Sequence, residues 1–77
     1  MELTGPTFDR ARELVARGMR AADAVHSAAA EALRADVLLT CDDQLWRVGQ
    51  RLAGELNVRI ANPVEWLKEQ LDATNPG

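Results

Sequence analysis

Apolar positions change their spacing several times along the chain, and each change marks an element. Phe8, Ala11, Leu14 and Val15 recur at helical spacing, which predicts a helix capped by Thr7, running to about Arg17 and stopped by Gly18. Ala21, Ala24, Val25, Ala28 and Ala32 predict a second helix from about Ala21 to Arg34. Its apolar face is built of small side chains, so a neighbouring element must approach closely. Val37-Leu38-Leu39 is a continuous apolar run, the pattern of a strand buried on both faces in a parallel sheet. Asp42 or Asp43 opens a third helix to about Ala53, with Leu45, Val48 and Leu52 turned inward. Val58-Arg59-Ile60 reads as a second strand. Asn62 as N-cap, Pro63 at the first helical position and Glu65 at the third start a last helix, with Val64, Leu67 and Leu71 as its buried stripe. Trp66 lies off that stripe, on an exposed or shared surface. Met1 to Thr4 reads as the stub of a strand. Residues 1–73 form the domain and residues 74–77 a frayed polar tail.

Strand, helix, strand in this order predicts a right-handed parallel crossover. The expected fold is α/β, a short parallel sheet flanked by about four helices. Two strands make a poor sheet, and at least one edge would expose unpaired backbone groups. A partner, most simply a second copy, would complete it.

Composition narrows the function. The 77 residues fit one domain with a thin core, since a chain this short buries only about 60% of its unfolded surface. A hydrophobic content of 47% excludes a disordered acidic tail. One cysteine rules out an internal disulfide and suits a reducing cytoplasm. No apolar run is long enough for a membrane helix. A net charge of -3 excludes a strongly basic nucleic-acid binder, though not an enzyme that meets nucleic acid through metal ions. Two Trp, one Phe and no Tyr are too few for a base-stacking platform.

Chemistry concentrates at Thr40-Cys41-Asp42-Asp43. Ligands of open parallel sheets bind beyond the carboxyl ends of the strands, and here two carboxylates follow a strand at a helix start. Asp23 opens the preceding helix. Carboxylates gathered together repel, and a hard ion such as Mg²⁺ or Mn²⁺ is one reason to collect them. The same acids also serve as ordinary N-caps and first-turn charges.

Three segments resemble PIN domains. Gly18-Met19-Arg20-Ala21-Ala22-Asp23-Ala24-Val25-His26-Ser27-Ala28-Ala29-Ala30 is similar to their "G-x-x-A-A-D-A-x-H-x-A-A-A" segment. Ala35 to Leu45 resembles "A-D-x-L-L-T-x-D-x-x-L", and Val58 to Leu67 resembles the closing strand and "N-P-x-E-[FW]-L" helix. The order and spacing agree over nearly the whole chain, which resembles the family's C-terminal half. The family's first strand with its Asp, and an early helix with a Glu, have no counterpart; Glu2 and Glu13 do not match them. The resemblance implies a truncated PIN-like fold and Mg²⁺- or Mn²⁺-dependent ribonuclease chemistry, with an antitoxin-like protein as a partner. It assigns Asp23 and Asp42 as metal ligands and catalytic acids, with Asp43 assisting beside Asp42, and Thr40 as the threonine of "T-x-D". Either two copies form a homodimer that unites two Asp23–Asp42 pairs and cuts RNA, or the chain is an inactive oligomerisation or partner-binding module.

Other residues carry paired readings. His26 shares a helix face with Asp23; it either orients Asp23 or contacts phosphate, or it is a helix histidine bonded to a neighbour. Cys41 is expected to be a small buried filler, since adjacent carboxylates oppose a thiolate. Arg20, Arg47 and Arg51 are solvated or touch RNA phosphate. Trp46 and Trp66 mark a partner surface or the edge of the core.

Overall fold

The computed structural model describes residues 5–74, so the expected strand stub and most of the expected tail lie outside it. Among these residues the order is α1 (Gly5–Ala16), α2 (Ala21–Ala32), β1 (Val37–Leu39), α3 (Asp43–Arg51), β2 (Arg59–Ala61) and α4 (Pro63–Thr74). This is the small α/β fold expected from the sequence, down to the element order.

Local chemistry sets most boundaries. Helix α1 begins before Thr7, which is buried inside the helix rather than capping it; Pro6 is tolerated because first-turn N–H groups have no helical partner. Its end is a Schellman turn. Met19 N–H donates to the Leu14 carbonyl and Gly18 N–H to that of Val15, both at 3.0 Å, with Gly18 at φ +111°. Helix α2 ends the same way, with Ala35 bonded to Ala30 and Arg34 to Glu31. Arg34 takes the left-handed position at φ 57°, so α2 stops at Ala32, short of the expected Arg34. Asp42 caps α3, and Asn62 caps α4 by accepting from Val64 N–H at 2.8 Å.

The two strands pair in parallel, Val37 with Arg59, Leu38 with Ile60 and Leu39 with Ala61. Leu38 and Ile60 therefore share a face, and both join the core formed with Ala11 and Leu14 of α1, Ala24 and Ala28 of α2, and Leu45 of α3. Gly49 allows α3 its close approach, because a Cβ there would lie 2.7 Å from Ile60 Cβ.

Polar contacts fasten these helices. Arg10 of α1 grips Glu31 of α2 with two nitrogens, at 2.8 and 3.1 Å, and reaches the Glu55 carbonyl at 2.8 Å. Glu31 also accepts from Asn57 N–H at 2.8 Å. Its side chain is only 8% exposed. Burial pushes the Glu31 carboxyl upward, but the Arg10 guanidinium and the Asn57 N–H outweigh it and hold the group below its ordinary value. Ser27 is wholly buried on α2 and its hydroxyl has no partner among the described residues.

Three expectations about burial are corrected. Of the α1 stripe, Ala11 and Leu14 are buried, whereas Phe8 and Val15 are exposed. Strand β1 is not buried on both faces: Val37 and Leu38 are half-buried and Leu39 is 41% exposed. In α4 the expected buried stripe is open, with Val64, Leu67 and Leu71 exposed by 61%, 53% and 57%. The stripe exists, but none of the described elements covers it. Arg59 of β2 holds Glu69 of α4 with two bonds of 2.6 Å, which lowers the Glu69 pKa and raises that of Arg59.

Candidate functional site

The carboxyl end of β1 brings together the starts of α2 and α3. Thr40 leaves the strand with its N–H bonded to the Ala61 carbonyl at 2.9 Å. Its hydroxyl accepts from Asp42 N–H at 3.0 Å, fixing the turn into α3. Asp42 then spends one carboxylate oxygen on the cap, accepting from Gln44 N–H at 2.8 Å and Leu45 N–H at 3.3 Å. Its other oxygen faces Arg20 at 3.4 Å, and Arg20 also donates to the Gln44 side chain. Arg20 sits at the N-cap position of α2, where its own side chain makes no cap. One guanidinium thus ties the two helix starts together.

Asp23 is half-buried in the first turn of α2. With His26 and Thr40 it lines a cleft of about 180 Å³, floored by Leu38, Leu39 and Leu45. Asp43 is exposed in the first turn of α3. The cleft therefore offers a carboxylate, an imidazole and a hydroxyl, with the Asp42 carboxylate engaged next to it.

No three His, Cys, Asp or Glu side chains among the described residues are grouped so as to hold a metal ion. A hard ion takes about six oxygen donors, and both oxygens of Asp42 already serve protein groups.

Cys41 is exposed, not the buried filler expected; with only one residue between Thr40 and Asp42, the turn leaves its side chain outside the core. Arg51 is anchored rather than free, donating to the Arg17 carbonyl across Gly18. Trp46 is exposed and Trp66 half-buried. The hold of Arg20 on Asp42 was not anticipated; its signal was an Arg where a cap residue would ordinarily stand. None of the described helices is long and apolar enough to cross a membrane.

Comparison with known protein families, with characterised proteins and with solved structures finds no match.

Proposed function

We propose that the chain is a PIN-like half-domain of a Mg²⁺- or Mn²⁺-dependent ribonuclease that works in the cytoplasm as a homodimer. The observation that carries this reading is the shared cleft of Asp23, His26 and Thr40 at the carboxyl end of β1, with Asp42 at its side. The sequence resemblance assigns Asp23, Asp42 and Thr40 to the acidic site, and His26 shares the helix face of Asp23. In this reading Asp23 and Asp42 are the acids, Asp43 assists, Thr40 shapes the turn and His26 orients Asp23 or meets phosphate. Two carboxylates from one chain are few for a hard ion, so waters or groups from a second chain complete its shell in this reading. An antitoxin-like helix is the further partner implied.

Manganese titration calorimetry and an RNA cleavage assay test the proposal. The expected result is Mn²⁺ binding and EDTA-sensitive cleavage, each reduced at least about tenfold by Asp23→Asn or Asp42→Asn. Asn also caps helices, so Asp42→Asn should leave α3 intact. A wild-type protein that takes up no Mn²⁺ and cuts no RNA removes the reading.

The uncovered stripe of α4 favours a second reading, a catalytically inactive module that binds a partner. Its signature is a stable complex indifferent to the Asp substitutions and lost on Trp66→Ala or Leu67→Lys.

A further inference from the structure

The two edges of the sheet differ. Bonds from Arg59 N–H to the Asp36 carbonyl, at 3.1 Å, and from Thr40 N–H to the Ala61 carbonyl, at 2.9 Å, show which way the backbone points. The even-numbered residues of β1 face β2, so the N–H and carbonyl groups of Val37 and Leu39 face outward. On β2 it is Ile60 that faces outward, and its carbonyl accepts from Gln50 Nε2 at 2.9 Å. Gln50 thus occupies the outward carbonyl of β2, while no described residue bonds the outward groups of β1. No residue of β1 is fully buried.

We infer that a second copy of this chain pairs antiparallel with the outer edge of β1, about a two-fold axis at Leu38. In this register Val37 meets the partner's Leu39 and Leu39 meets the partner's Val37. Every outward group of both short strands is then bonded. Side chains support the antiparallel sense. Arg34 precedes β1, and Asp42 and Asp43 follow it. The antiparallel register brings the partner's Arg34 toward Asp42, whereas a parallel one would set like charges side by side.

An axis through paired edges stands perpendicular to the joined sheet, so matching faces lie on the same side. The face of Val37 and Leu39 is also that of Arg59, which holds α4 through Glu69. Both α4 helices therefore border one continuous apolar strip. On the opposite face, the partner's Asp36 falls opposite Thr40, at the cleft of Asp23. This last point rests on the ribonuclease reading: it names the carboxylate that a second chain would add.

Sedimentation from about 1 to 200 μM tests the pairing without metal or RNA. The expected species is a dimer. Leu39→Pro removes an outward N–H that the β1–β2 ladder does not use, and should give a monomer with the wild-type circular dichroism. If that variant fails to fold, Leu39→Lys replaces it and should weaken association at least about tenfold. A nitroxide on Cys41, which is exposed, should see its twin at about 20–30 Å, from six residue steps along the paired strands plus the label arms. A monomeric wild type, a dimer that survives both Leu39 variants, or a label distance outside that range overturns the inference.

The contribution of Asp36 is read separately. Asp23→Asn and Asp36→Asn chains are each expected to be inactive, and an equal mixture should recover about a quarter of wild-type cleavage through mixed dimers. No recovery from intact dimers overturns the shared cleft. If the wild type cuts no RNA, the shared cleft falls with the ribonuclease reading while the dimer is judged by sedimentation.

Discussion

Arg10 reaches three parts of the chain at once: Glu13 on its own helix, Glu31 on α2 and the Glu55 carbonyl before β2. Because the Glu31 side chain is largely shielded from solvent, losing its partner would strand a charge, which costs more than a surface pair contributes. Arg10→Ala should destabilise by about 2–3 kcal/mol in urea unfolding at neutral pH. The same pair sets an acid limit. A carboxyl held below its ordinary value of 4.5 contributes stability that is complete above that pH and fades as pH falls through the native pKa. Stability should therefore decline below about pH 4.5, and Glu31→Gln should flatten that decline while lowering the neutral-pH plateau. None of this was legible in the sequence, where Arg10 and Glu31 are ordinary helix charges. The rule that ligands meet the carboxyl end of a parallel strand points to Asp42 and Asp43, yet the cleft there is lined by Asp23 and Thr40, with Asp42 held beside it and Asp43 exposed.

Elements were legible where their signals are local. Gly18 ends α1 as expected, because a left-handed residue is needed there, and Asn62-Pro63 starts α4 because cap and first-turn chemistry involve only neighbours in sequence. Burial was less legible. Periodicity says which side chains share a face and not whether another element covers it. Hence Leu45 and Leu52 are buried as expected, while Val64, Leu67 and Leu71 are equally periodic and exposed. On α2 the expected face is only partly buried: Ala24 and Ala28 are inside, Ala21 and Ala32 are exposed, and Ser27, Ala29 and Ala30 are buried instead, because side chains this small let α1 and the sheet approach on two sides. Close approach also defines α3. Gly49→Ala would drive a methyl into Ile60, and should cost about 1–3 kcal/mol by denaturant unfolding while leaving the helix boundaries unchanged.

The whole molecule is an incomplete layering, with helices α1 to α3 gathered around one side of a two-stranded sheet. If α4 contributes nothing to the monomer core, Leu67→Gln should change the unfolding free energy of dilute protein by less than about 0.5 kcal/mol. A larger loss under those conditions would mean that α4 is packed in solution. The amide of Gln50 has a consequence at this scale. A particle with one adhesive rim stops growing once it has met its twin. Were the Ile60 carbonyl freed, the particle would gain a second rim and become a link in an endless ribbon. If β1 pairs as inferred, the Gln50 amide helps keep a finite pair from extending into a filament.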